Sequence, residues 1–244
     1  MNPKLSLLTL PALLCAGAGL AVAQGLPTSQ PTLLTIFREQ VKLGRAAEHG
    51  RIEAGWPAEF AKAKSPNYYL AMTSLTGASE AWFVVPFASN AAAADEMKLE
   101  ESDTTLAAEL QRLSRADAEV LTDARAIQAM ARTDLSHGAF PDLNKQRFWE
   151  ISIYRVRPGH EAGFEAAAKA YGAATDRSAP SFSYRIYEVT AGMPAATLNK
   201  FLTDGLINSE TNRFRLDPQM SYVSAETHAT DPAFWMPKRP ARRP

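Results

Sequence analysis

The sequence predicts an α+β protein in which one strand–helix–strand unit occurs twice. Three observations predict it. Residues 41–77 match residues 156–192 at a constant shift of 115 positions without a gap. Each copy opens on a segment with strand-type alternation, and in each a glycine then leads into an apolar stripe at helical spacing.

The match consists of Val41 with Val156, Gly44 with Gly159, Ala47 with Ala162, Ala58 with Ala173, Tyr69 with Tyr184 and Gly77 with Gly192. Lys42 also meets Arg157, and Trp56 meets Tyr171. The opening strand of the second copy is Phe148–Val156, where Trp149, Ile151 and Ile153 share one face and Glu150, Ser152 and Tyr154 the other. Its counterpart, Leu33–Val41, sets Leu34 and Ile36 against Thr35, Phe37 and Glu39. The helices follow. His49, Ile52, Trp56 and Phe60 form one stripe, and Phe164, Ala167, Ala168 and Tyr171 the other. Pro57 is expected to kink the first helix after Trp56, because it lacks a backbone donor.

Second strands are expected at Tyr68–Thr76 and Ser183–Thr190, and a third at Glu80–Phe87, paired with its predecessor as a hairpin. A helical tract then runs from about Ala91 to Val120, with Leu99, Leu106, Leu110, Leu113 and Val120 on its apolar side. Ser102-Asp103 breaks it, since short polar side chains cap a new helix. A fourth strand is expected near Arg125–Arg132. The second half is shorter, and Asn199–Leu202 reads either as a degenerate third strand or as the remnant of a missing helix.

The order β-α-β-β-α-β is the split unit of the ferredoxin-like fold, whose sheet is covered by helices on one face only. Two such sheets facing each other would bury the open faces, and duplication within one chain supplies the second. The expected organisation is a leader at 1–23, a linker at 24–31, a first half at 32–140, a shortened second half at 141–236 and a basic tail at 237–244.

The leader reading rests on Lys4, the apolar run Leu5–Val22 and the small-residue ending Ala21-Val22-Ala23. These form the three parts of a cleaved secretory signal, so the mature chain would start near Gln24 in the periplasm or outside the cell, with no membrane-spanning segment left. Cys15 is the only cysteine, so no disulfide can form in the mature chain and stability must come from packing. The 26 basic and 26 acidic residues balance, which gives no basis for nucleic-acid binding. The tail Lys238–Pro244 is basic and proline-rich, and reads as a solvated end.

Two stretches of the first half carry a family resemblance: Arg38–Gly44 through His49, and Tyr68–Gly77. So do Arg155–Ala162 and the ending Met220–Ser224 through Asp231–Trp235. Together they resemble exported bacterial proteins of unknown role, placed near the NIPSNAP-like and antibiotic-biosynthesis-monooxygenase-like domains. The resemblance implies a dimeric α/β-barrel architecture formed within one chain. It implies no activity and no catalytic residue.

No HExxH, G-x-S-x-G, phosphate loop, CxxC or EF-hand pattern occurs. The four histidines are His49, His137, His160 and His228, none at metal-ligand spacing from another. His49 reads as a core residue with one hydrogen bond. His137, in a loop at a strand end, and His160, at a helix start, are the candidates for an axial ligand should the barrel hold haem. No cofactor is otherwise expected. If the second strand face points inward, Glu39, Glu150, Ser152 and Tyr154 would line a pocket, with Arg132 or Arg155 as counter-charges, because a buried carboxylate needs a partner or a proton. The leading expectation is a small hydrophobic or aromatic ligand held between the sheets. One alternative is a cofactor-independent oxygenase or isomerase using Tyr154 or a histidine with Glu150. The other is a structural protein of the envelope. A homo-oligomer stays open.

Overall fold

The computed structural model describes residues 25–179, 181–191 and 206–236. The leader, the basic tail and the Asn199–Leu202 segment therefore lie outside the described residues. Seven strands form one curled antiparallel sheet, a half-barrel, rather than the two facing sheets expected. In chain order they are β1 (Leu33–Val41), β2 (Leu70–Ser74), β3 (Glu80–Phe87), β4 (Leu121–Ala131), β5 (Phe148–Val156), β6 (Tyr187–Ala191) and β7 (Leu206–Leu216). The spatial order is β5-β7-β2-β3-β1-β4-β6.

The middle four strands, β2-β3-β1-β4, have the ferredoxin-like order, and they come from the expected first half. The remaining strands do not make a matching sheet of their own. β6 pairs with β4 at one edge, while β7 pairs with β2 at the other and carries β5 outside it. β7 is an addition to the sequence reading. Of its eleven residues, LINSETNRFRL, only the Phe214 and Leu216 end alternates clearly, and both side chains are fully buried.

The helices are α1 (Ala46–Glu53), α2 (Trp56–Ala63), α3 (Asn90–Ser102), α4 (Thr104–Ala118), α5 (Glu161–Ser178), α6 (Ala225–Thr230) and α7 (Pro232–Trp235). The kink expected after Trp56 is instead a break before it, at Ala54-Gly55, with Pro57 in the first turn of α2. There its missing N–H costs nothing. The break at Asp103 is where the sequence puts it. The Asp103 carboxylate accepts from the backbone N–H groups of Thr105 and Leu106 and starts α4. Gly44 and Gly159, matched in the repeat, both have positive φ, 80° and 86°, and turn β1 into α1 and β5 into α5. No described helix is long and apolar enough to cross a membrane.

Directly paired residues of an antiparallel sheet share a face. One face carries Glu39, Ala71, Ala81 and Phe83, and α1, α2 and α4 cover it. Phe60 of α2 packs there against Tyr69 and Tyr222. The opposite face holds Met72, Trp82 and Phe214, with Ile36, Val84, Trp149, Ile151 and Ile153 packed around them. A third cluster joins Leu26, Leu70, Leu143, Leu216, Val223 and Trp235, so segments near both ends of the described residues pack together.

Candidate functional site

The sequence stripe that α1 buries contains two polar residues one turn apart, His49 and Glu53. An i, i+4 spacing puts both on the helix face that meets the sheet. The Gly44 turn lays α1 back over β1, and His49 comes to rest above Glu39. Its Nε2 lies 2.8 Å from Glu39 Oε2. With Nε2 as the donor to this carboxylate, the pair fixes the imidazole tautomer. The last turn of α4 adds Asp117, one turn beyond Leu113 on the same buried stripe. Asp117 Oδ1 is 4.0 Å from His49 Nε2. His49, Glu53 and Asp117 are 2 %, 3 % and 4 % exposed, so four ionisable groups meet in the core.

Among the described residues no Lys or Arg forms an ion pair with Glu39, Glu53 or Asp117. Burying such a set uncompensated is expensive. Burial, before any other cause, drives the Glu53 carboxyl from its ordinary 4.5 up to about 11. The hydrogen bond with Asp117 and the charges of Glu39 and Asp117 push the same way, while the neighbouring Trp56 indole pulls against them. Glu53 is therefore a neutral acid at pH 7. Apart from the bond between the two carboxyls, Glu53 Oε1 and Asp117 Oδ1 are buried without a hydrogen-bond partner. Tyr69 closes the cluster from the sheet side. Burial first, and then the Glu53 carboxyl, hold its phenol well above the usual value.

The cluster opens on one side. His49 lines a cavity of about 280 Å³ together with Thr73, Ser79, Arg215, Asp217 and Met220. The cavity lies at the end of β1 where β2, β3 and β7 meet. The wall thus combines hydroxyls, one cation, the Glu80 and Asp217 carboxylates and an apolar sulfur beside a buried imidazole. An arrangement of that kind can take up a small polar organic molecule and exchange a proton with it.

Of the residues expected at a pocket, the structure brings only Glu39 into this cluster. Glu150, Ser152 and Tyr154 share its sheet face but sit on β5, beyond the covering helices α1, α2 and α4, and all three are exposed rather than enclosed. Glu150 pairs with Arg213, Ser152 with Thr211, and Tyr154 packs on Phe164. Arg132 serves Asp134, Glu165 and Glu188, and Arg155 bonds Asn208, so neither is a counter-charge to a pocket carboxylate. His137 stacks on Tyr184 with Asp176 at 3.7 Å, and His160 is exposed at the start of α5. His49, Glu53 and Asp117 are additions. Each occupies a position on an apolar stripe, and the repeat offered a clue. At the same shift of 115, Glu39 and His49 correspond to Tyr154 and Phe164, which also touch. One segment packs two rings where the other places an acid and a base.

No family model and no curated protein matches the chain, so the resemblance to the NIPSNAP-like and antibiotic-biosynthesis-monooxygenase-like group is carried by its motifs alone. Three solved structures are similar in shape. A candidate monooxygenase from Lactobacillus acidophilus is 10 % identical with a TM-score of 0.44, covering 80 % of this chain and 100 % of its own. A candidate monooxygenase from Fusobacterium nucleatum is 9 % identical with a TM-score of 0.46, covering 76 % and 92 %. An anthrone oxidase-like protein is 10 % identical with a TM-score of 0.46, covering 89 % and 82 %. Likeness at this level assigns no ligand and no reaction to this chain.

Proposed function

We propose that the protein is an exported enzyme that admits a small organic molecule to the cavity beside His49 and withdraws a proton from it. The observation that carries this reading is the 2.8 Å contact between His49 Nε2 and Glu39 Oε2 at the wall of that cavity. A carboxylate behind an imidazole orients the ring and stabilises the imidazolium that forms when it takes a proton. The cavity, at about 280 Å³, is at the small end of the range for ligand sites. Isomerisation through an enolate and direct oxygenation of an electron-rich aromatic both start with such a proton loss, and the site suits either. The reciprocal edges, β4 with β6 and β2 with β7, support the further reading that the two parts of the chain are related and close toward a barrel. Export rests on Lys4, the apolar run and Ala21-Val22-Ala23.

The test uses the full chain expressed with its own leader, whose intact mass after export is expected to start at Gln24. Two probes small enough for the cavity are then offered: acetylacetone, followed by α-proton exchange into D2O, and 1-naphthol, followed by oxygen uptake. At least one reaction is expected to run above the buffer rate, and His49→Ala to lower it about 100-fold or more. Equal rates in the wild type and a folded His49→Ala variant would overturn the proposal, as would no rate above buffer with either probe.

A further inference from the structure

We propose that Glu39, His49 and Glu53, with Asp117 beside them, form a binding site for one divalent transition-metal cation. The donor atoms come from three separate parts of the fold. His49 and Glu53 stand one turn apart on α1, Glu39 rises from β1, and Asp117 descends from the end of α4. One ligand atom from each of Glu39, His49 and Glu53 lies within 4.8 Å of the other two. Two ligands on opposite sides of one ion stand at most about 4.4 Å apart, twice a bond of about 2.2 Å. The widest pair therefore has at most a few tenths of an ångström to close, within the reach of a glutamate side chain.

The independent sign of a ligand is the pair of orphaned oxygens. Glu53 Oε1 and Asp117 Oδ1 are enclosed, in residues more than nine-tenths buried, and apart from the bond between the two carboxyls neither has a hydrogen-bond partner. Such atoms are rare in folded proteins and call for a partner. A cation is the partner that three carboxyl groups and an imidazole would all accept, and it would supply the positive charge that no Lys or Arg provides here. The imidazole selects among cations. An oxygen-only set would suit Mg²⁺ or Ca²⁺, whereas one nitrogen with carboxylate oxygens suits Zn²⁺, Mn²⁺, Fe²⁺ or Co²⁺. Trp56 and Tyr69 wall the site with aromatic surface, and the cavity lined by His49 gives the ion an entry path and a face open to a small molecule.

This inference concerns the same site as the proposed function, and the two fail separately. With a metal there, the ion would acidify a coordinated molecule and the proton would pass to a neighbouring carboxylate such as Asp117, so the proton withdrawal proposed above would keep its site and change its acceptor.

The experiment is a Co²⁺ titration of the full exported chain, purified without a histidine tag after chelator treatment, followed by calorimetry and visible absorption. One ion per chain is expected, with visible d–d bands. Glu53→Gln and His49→Ala should each weaken binding at least 10-fold, and the exposed His160→Ala should leave it unchanged. Mn²⁺ added to the wild type should broaden the Trp56 indole signal before any other indole, which tests the location without a variant. No bound Co²⁺ would overturn the site, and so would unchanged binding in both Glu53→Gln and His49→Ala or first broadening at another indole. Probe turnover without metal binding keeps the proposed function and removes this inference. Stoichiometric binding without turnover keeps the inference and removes the function.

Discussion

Arg38 on β1 shows how a charged residue is held inside this sheet. Its guanidinium lies over the Trp82 ring, 5.0 Å from the centroid, and makes two hydrogen bonds to Glu80, at 2.6 and 3.0 Å. Trp82 Nε1 donates to the same carboxylate at 2.9 Å. With the Arg38 and Glu80 side chains 12 % and 6 % exposed, the pair is buried, and removing one member strands the other. Glu80→Ala is expected to cost about 3 kcal/mol in urea unfolding, with Glu80→Gln costing less because its amide oxygen still accepts from Arg38 and Trp82. A Glu80→Ala midpoint equal to the wild type would mean that Glu210, 3.5 Å from Arg38, is partner enough. The same scale shows what the sequence could and could not say about the site. Glu39 stood out because a carboxylate on an alternating strand has a definite face. His49 was legible as a buried residue with one hydrogen bond. Glu53 and Asp117 were not legible, since a polar residue on an apolar helical stripe signals burial but not its partner. The contact between residues 49 and 117 exists only through the packing of α4 on α1.

At the scale of elements, the patterns that worked were those set by local chemistry. β1, β3 and β5 have the bounds their alternation predicts, and the α3–α4 break falls on a capping aspartate. β7 was missed because it lies between two other strands, and backbone pairing on both edges holds it where side-chain pattern is weak. Element ends also carry titration. Glu100, in the last turn of α3, has its carboxyl pushed from 4.5 up to about 7 by burial and then by the charge of Glu96. The native state therefore holds a proton between about pH 4.5 and 7 that the unfolded chain releases. This contribution to stability is present below pH 4.5, shrinks as pH rises through 7 and is flat beyond. Part of the side chain meets water, which keeps the effect small. Urea midpoints taken from pH 4.5 to 7.5 should fall less steeply in Glu100→Gln than in the wild type. Parallel curves would place the titration elsewhere.

At the scale of the molecule, the sequence match predicted two related strand–helix–strand segments but not how they join. Which strand edges meet is decided by the whole sheet, and a half's own pattern does not contain it. The structure joins them through short registers, three residue pairs between β2 and β7 and four between β4 and β6. A second tie is stronger. After β7 the chain crosses back, and residues 220–223 enter the core built by β2, β3 and α2. Tyr69 N donates to Tyr222 O at 2.8 Å, Ala71 N donates to Ser221 Oγ at 2.9 Å, and the Tyr222 hydroxyl donates to Ser65 O at 3.0 Å. The Tyr222 ring meets Phe60, Tyr68 and Tyr69. A residue from the end of the chain is thus a central piece of the beginning. Tyr222→Ala should cost about 3–5 kcal/mol, the range for emptying a buried aromatic site. The ties make the loss global, so hydrogen exchange in this variant should speed up alike for amides of β1 and β5. Faster exchange on β1 with β5 unchanged would show instead that the two parts unfold as separate units, and that the C-terminal crossing stabilises only the part it enters.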